Sequence, residues 1–337
     1  MYMSSMIDDL MNPSAYPESL EEITLAQTHI SNVFIGRDYV YKVKKPVNFG
    51  FLDFSTLEKR NFYCKKEVEL NSRFSNDVYL GVYPVTFDGT RYAIDGDGDV
   101  VDYAVKMRRL SDEDLLKTRF KKDIVTLEDI DRIGKAVATF HKKSKRSREI
   151  DEFGKIDSVK FNTDENFQQT EEFIGRSITK QQYNDLKDWT DNFYKENQRL
   201  FEQRVNDGKI RDCHGDLHME HICLTDPIII FDCIEFNDRF RYSDTLSEIA
   251  FLLMDLEYNG GKKLSEQLCE TYLRYADEKD EDNVYRLINF YKVYRAYVRG
   301  KVTSFILNDS TLSEEAKTKA RDTAQKYFAL AHSYISK

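Results

Sequence analysis

Three of the six histidines in this 337-residue chain fall within eight residues: His214, His218 and His221. They stand in Cys213-His-Gly-Asp-Leu-His-Met-Glu-His-Ile222, with Asp216 at the centre; Asp232 and Glu235 follow shortly after. Two chemistries suit these residue types. In the first, Asp216 accepts or orients the proton of an attacking hydroxyl, and Asp232 holds Mg²⁺ against phosphates. Phosphoryl transfer needs that division of labour between two carboxylates. The stretch Ile222 to Phe231, with Thr225-Asp226-Pro227 as its turn, reads as a short hairpin. A hairpin returns its ends to one place, so Asp216 and Asp232 are expected to meet although sixteen residues separate them. A lysine must also neutralise phosphate charge, and an acid must orient it. Lys42 on a strand and Glu67 on the following helix fill these roles. In the second chemistry, His214, His218 and His221, with Cys223 as a further ligand, bind zinc in a hydrolase site, and Asp216 or Glu220 is the base. Imidazole and thiolate both suit zinc.

Several elements must position these groups. Residues 23–35 and 39–43 are rich in β-branched and aromatic side chains, and Gly36-Arg37-Asp38 fits a hairpin connection between them. Lys42 and Lys44 share one strand face, because side chains alternate; Lys42 follows the apolar pattern better. Ser55 and Glu58 have capping-box spacing and open a helix running to about Arg73, with Leu57, Cys64 and Val68 on one side. Strands resume at 78–86, 91–94 and 100–107. Asp95-Gly-Asp-Gly-Asp99 could suggest calcium, but the twelfth position of an EF-hand loop is Lys106 rather than a bidentate Glu. A hairpin turn is expected there. From Thr126, capped with Asp129, the pattern turns helical, with Ile130, Ile133, Val137 and Phe140 at helical spacing. Residues 150–205 and 245–337 continue as helices, and Thr245 with Glu248 repeats the capping-box spacing.

Composition narrows the class. The net charge of -9 argues against a nucleic-acid partner, which requires a basic face. The one basic run, His141 to Arg148, reads as a solvated helix C-terminus, where cations suit the dipole. Five cysteines without framework spacing suit free thiols in a reducing compartment. No leader pattern opens the chain, and its longest apolar runs are too short for a membrane span, so a cytoplasmic location and no membrane partner are expected.

The segment His214-Gly-Asp-Leu-His-Met-Glu-His221 resembles the HGDLHxxN signature of the aminoglycoside phosphotransferase and choline kinase-like family. Val40-Tyr41-Lys42 is similar to that family's ATP-lysine strand, and Ile133 to His141 to its helix before the catalytic loop. Phe231-Asp232 is similar to its metal-binding segment. Tyr41-Lys-Val-Lys-Lys-Pro46 and Cys233-Ile-Glu-Phe-Asn237 look most like a bacterial branch of uncharacterised predicted small-molecule kinases.

The resemblance implies an α+β, two-lobed protein-kinase-like fold. Residues 1–109 would form a β-rich nucleotide-binding lobe with one helix, and residues 110–337 a larger helical lobe with the catalytic loop and acceptor site. It implies an ATP- and Mg²⁺-dependent kinase acting on a small-molecule hydroxyl, with Asp216 as base and Asp232 as metal ligand. It favours Glu67 over Glu69 as the partner of Lys42. The 107–109 hinge, Met107 and Arg109 included, would offer backbone groups to adenine. Thr28 and Ser31 stand where a glycine-rich phosphate loop would be and could touch phosphate. His221 occupies the place of the usual Asn; its nitrogen suits Mn²⁺ better than Mg²⁺. Glu220 or Glu235 could assist the metal, or the chain could be a catalytically weak nucleotide-binding regulator, a pseudokinase. His218 and Glu235 are the candidates for contact with the acceptor, and the acidic residues around the site would favour a cationic one. Members of the branch are often joined to a P-loop ATPase domain. GxxxxGK[ST] does not occur here, so such an ATPase is expected as a separate partner.

Overall fold

The computed structural model describes residues 5–18, 20–75, 77–279, 282–310 and 312–336. It divides into two compact units: Met1–Ile124 with Glu220–Asp238, and Val125–Met219 with Arg239–Lys337.

The first unit is built on an antiparallel sheet of β1 (Thr24–Gln27), β2 (Ser31–Ile35), β3 (Tyr39–Lys44), β4 (Tyr79–Phe87), β5 (Tyr92–Ile94) and β6 (Asp99–Arg108), in the order β1-β2-β3-β6-β4-β5. Alternation along β3 sends Tyr41 and Val43 into a core with Leu10, Phe34, Val85 and Ile94. Lys42 and Lys44 therefore point to the opposite face, as their parity predicts. Helix α1 (Leu57–Asn71) packs on that face and buries Arg60, Cys64, Glu67, Leu70 and Asn71.

Three local features differ from the sequence expectation. The cap of α1 is Thr56, whose side chain accepts from the Lys59 N–H at 3.3 Å. Ser55 is spent one residue earlier, where its hydroxyl and N–H both donate to Asp53. The helix stops at Asn71 rather than Arg73, and Arg73 instead donates from Nε to the Leu70 carbonyl. The 95–98 segment is not a β5–β6 hairpin either. β5 pairs only with β4, and β6 pairs on the other side of β4. The segment thus carries the chain past the end of β4. It passes so close that a Cβ on Gly98 would lie 2.2 Å from the Phe87 carbonyl oxygen.

The chain returns to the first unit for a short hairpin, Ile222–Cys223 against Ile229–Ile230, with Ile222 opposite Ile230. Ile229 and Phe231 pack with Cys64, Val78, Tyr79 and Val105, which ties this hairpin to the sheet and α1.

The second unit is helical. Helix α2 (Leu127–Lys143) opens with the Thr126–Asp129 capping box and buries Ile130, Ile133, Gly134, Val137, Ala138 and His141 along one stripe. The basic run does close α2, but His141 is buried rather than solvated. Further helices are α3 (Ile156–Thr170), α4 (Lys180–Asn206), α5 (Thr245–Tyr258), α6 (Lys262–Tyr275), α7 (Asp282–Phe305) and α8 (Glu314–Ile335). Twelve of the fourteen residues of α5 are buried, so it is the central helix of this unit. A ribbon of Ile210–Asp212 and Tyr242–Asp244 brackets the segment that leaves for the first unit. Among the described residues, no helix is long and apolar enough to cross a membrane.

Candidate active site

In the first unit, β3, α1 and the 232–235 segment bring two lysines and three carboxylates together. Glu67 is fully buried, with one carboxylate oxygen 2.9 Å from the Lys42 ammonium and the other 2.6 Å from that of Lys44. Lys42 also reaches Asp232 Oδ1 at 2.7 Å, and Lys44 forms a short ion pair with Glu235. Burial alone would lower both lysines. The carboxylates of Asp232, Glu67 and Glu235 outweigh it and hold Lys42 well above the ordinary lysine value. Glu235 and Glu67 do the same for Lys44. Burial would raise Glu67, but the two ammoniums bring it below the usual carboxylate range. Burial dominates at Glu235, which is raised. Low local dielectric makes such a network strong when complete and costly when one member is missing.

The hairpin places Asp232. The Phe231 N–H donates to the His221 carbonyl at 3.1 Å, extending the ladder so that His221 and Asp232 share its open end. His221 Nε2 lies 3.5 Å from Asp232 Oδ2. Asp232 is left-handed, with φ of 62°, an uncommon conformation for a residue with a side chain. Neighbours hold the backbone there: the Asp232 N–H donates to the Tyr79 hydroxyl at 3.0 Å, and the Cys233 N–H to Asn71 Oδ1 at 2.9 Å. Asp232 is also the most open member of the cluster, its side chain 42% exposed against 0–13% for Glu67, Lys44, Glu235 and Lys42. A strained, over-determined and accessible carboxylate has the form of a functional group. Its oxygens and the imidazole nitrogen fit a divalent cation that accepts mixed O and N donors.

In the second unit, the 214–219 loop is held mainly through its backbone. The buried Glu248 of α5 accepts the N–H groups of His214 (2.7 Å) and Gly215 (3.1 Å). Asp255, two turns on, accepts the Met219 N–H at 3.0 Å. Arg295 of α7 donates to the Gly215 carbonyl at 3.2 Å. His214 turns inward, with Nδ1 accepting the Asp216 N–H at 3.2 Å. These bonds leave the Asp216 side chain one-third exposed, 3.4 Å from His218 Nε2.

The phosphotransferase enzyme family model matches residues 91–285, more than half of the chain. The chain belongs to the phosphotransferase enzyme family. An uncharacterised protein of Mycobacterium tuberculosis H37Rv is 33% identical over 282 residues, which cover 83% of this chain and 54% of that protein. Its counterpart in Mycobacterium bovis matches equally. The chain thus spans about half the length of the curated relatives it matches. Among solved structures, the GDP complex of aminoglycoside 2'-phosphotransferase-IIIa aligns with a TM-score of 0.53 at 14% identity, covering 93% of this chain and 94% of that one. A choline/ethanolamine kinase family protein from Mesorhizobium loti aligns with a TM-score of 0.51 at 10% identity, covering 94% and 92%. These likenesses establish the two-lobed kinase-like fold, with its β-rich part and larger helical part.

The other expected site residues are distributed over both units. Thr28 and Ser31 do sit at the β1–β2 turn, but the turn is closed on itself. Thr28 Oγ1 accepts the Ser31 N–H at 2.9 Å, and Lys45 donates to the Thr28 carbonyl at 2.7 Å. Met107 lies within β6 between β3 and β4, opposite Val40 and Tyr79. The Arg109 N–H donates to the Asp38 carbonyl at 2.9 Å. Glu235 pairs with Lys44 in the first unit, whereas His218 stands beside Asp216 in the second. The donors of the zinc reading have these neighbours. His214 and His218 face Asp216 in the second unit, while His221 pairs with Asp232 in the first. Burial pushes the Cys223 thiol up to about 12, away from the thiolate that zinc requires.

Lys44, Asp255, Arg295 and Glu248 are the participants that sequence reasoning missed. Thr245 and Glu248 were expected as a capping box, yet the cap of α5 is Asp244, which accepts from the Leu246 N–H at 2.9 Å. Glu248 turns to the loop instead. Burial would raise its carboxyl, but His141 and the His214 backbone bring it down to about 2 from an ordinary 4.5. Because the folded value lies below the unfolded one, this stabilisation is complete above about pH 4.5 and fades as pH falls toward 2. Urea unfolding of wild type and Glu248→Gln between pH 2.5 and 6 should show a gap that narrows by about 2–3 kcal/mol at the acid end. A gap independent of pH would remove Glu248 as the ionised anchor.

Proposed function

We propose that this chain transfers the γ-phosphoryl group of ATP to a hydroxyl of a small molecule. The observation that carries this reading is the Lys42–Glu67–Asp232 arrangement, in a chain that also holds Asp216 on a loop whose backbone is anchored by Glu248. Lys42 would neutralise phosphate oxygens, and Glu67 would keep its ammonium charged and aimed. Asp232, with His221 beside it, would hold the divalent cation, which when bound spreads the charge developing on the phosphates. Asp216 would orient the acceptor hydroxyl and accept its proton. Lys42 meets Asp232 Oδ1, while Oδ2 faces His221.

Thermal-shift measurements with ATP and GTP across metals test this reading. Stabilisation should require a divalent cation, with Mn²⁺ serving at least as well as Mg²⁺. Asp232→Asn should remove the metal requirement, and His221→Asn should move the preference toward Mg²⁺. If no adenine or guanine nucleotide stabilises the protein with any metal, the reading fails.

A further inference from the structure

Two arginines of α7 approach the Asp216 loop one helical turn apart, a spacing that places both on the same face. Arg295 is spent. It is buried, with Nε on the Ser247 carbonyl and Nη1 on the Gly215 carbonyl, both at 3.2 Å. Arg299 is not spent in that way. Its guanidinium lies 5.6 Å from the ring centre of Tyr327 on α8, and Tyr327 stacks flat on Tyr258 of α5 at 3.8 Å. Among the described residues, no carboxylate lies within ion-pairing distance of Arg299. Burial would lower it, but Tyr327, which also engages it through a side-chain hydrogen bond, and then Asp216 and Asp255 more than offset that burial.

The remaining charges around Asp216 decide what this guanidinium is for. Asp255 is committed to the Met219 N–H and to the Asn259 amide. Glu257, also on α5, takes Lys292, Ser265 and the Tyr334 hydroxyl. His218 is buried beside Asp216; burial would lower it, but the Asp216 charge raises it above the ordinary histidine value. Asp255 and Glu257, which would favour a cationic acceptor, are thus occupied, whereas the Arg299 guanidinium is a standing positive charge. A guanidinium beside a tyrosine and without an ion-paired carboxylate among the described residues suits bidentate recognition of carboxylate or phosphate.

We propose that Arg299 binds an anionic group, carboxylate or phosphate, on the acceptor whose hydroxyl Asp216 orients. This rests on the phosphotransferase reading. It is tested by calorimetric titration with glycerate, glycerol 3-phosphate, glycerol and choline, with Mg²⁺ and a non-hydrolysable ATP analogue saturating. The two anions separate carboxylate from phosphate. At least one should bind wild type about tenfold to a hundredfold more tightly than glycerol or choline. Arg299→Gln should erase that preference, and Arg299→Lys should retain part of it. The inference is overturned if choline or glycerol binds as well as the anions, if no probe binds although the nucleotide does, or if Arg299→Gln keeps the preference. Failure of the analogue itself to bind would count against the phosphotransferase reading instead.

Discussion

Replacing Asp216 with asparagine should lower phosphoryl transfer by about 10²–10⁴-fold while leaving nucleotide affinity within a few-fold of wild type. The two readouts separate because Asp216 belongs to the loop held by Glu248, Asp255 and Arg295, whereas the Lys42–Glu67–Asp232 cluster lies in the first unit. Asparagine keeps the shape of the side chain and can still accept a hydrogen bond through its amide oxygen, but it cannot take a proton at neutral pH. It also removes the charge that raises His218, so the acceptor KM should change as kcat falls. Single-turnover kinetics with a responsive acceptor, alongside nucleotide titration, distinguish these effects. Unchanged turnover, or nucleotide binding lost together with turnover, would take Asp216 out of this role.

The largest loss of stability is expected from Glu67→Ala, about 3–5 kcal/mol. Among the described residues, Glu67 is the one acid that pairs with both lysines. Its loss leaves two neighbouring ammoniums, at most 13% exposed, with one fewer negative charge between them. Asp232 and Glu235 would remain as their partners, so the expected result is a weakened fold rather than a wholly unpaired lysine. A matched control is Glu21→Ala, which breaks the Arg37–Glu21 pair at 71% and 68% exposure. That change should cost about 1 kcal/mol or less, because water already screens the pair. Urea unfolding near pH 7 gives both numbers. A Glu67→Ala effect as small as the Glu21 control would show that the cluster does not hold α1 to the sheet.

Much of this was legible in the residues, and the parts that were not share a physical cause. Strand parity correctly put Lys42 and Lys44 on one face. Parity says nothing about which of the two meets Asp232, and the structure divides the work: both bind Glu67, Lys42 continues to Asp232, and Lys44 to Glu235. The hairpin after His221 was readable from its turn residues, and its register explains why His221 adjoins Asp232. Glu248 was misread because a Thr-x-x-Glu spacing is local, whereas the partner that claims the carboxylate is backbone 34 residues away. The 95–98 connection failed for the same reason. Adjacent strands favour a hairpin, but β4 had already taken the place beside β5. Arg295 and Arg299 carry no local signal at all. Helical periodicity gives a charged stripe, and only the packing of α7 reveals that one arginine holds a carbonyl of the Asp216 loop.

The central claim is that the γ-phosphoryl group of ATP moves to a hydroxyl with Asp216 as base. Phosphorus NMR of ATP, divalent cation and a set of small hydroxyl compounds, including those tested for Arg299, follows that group directly. Wild type should replace the γ-phosphate resonance with a new phosphomonoester, and Asp216→Asn should leave the ATP signals intact over the same time. Release of inorganic phosphate alone, or the same products at the same rate from both proteins, would contradict it.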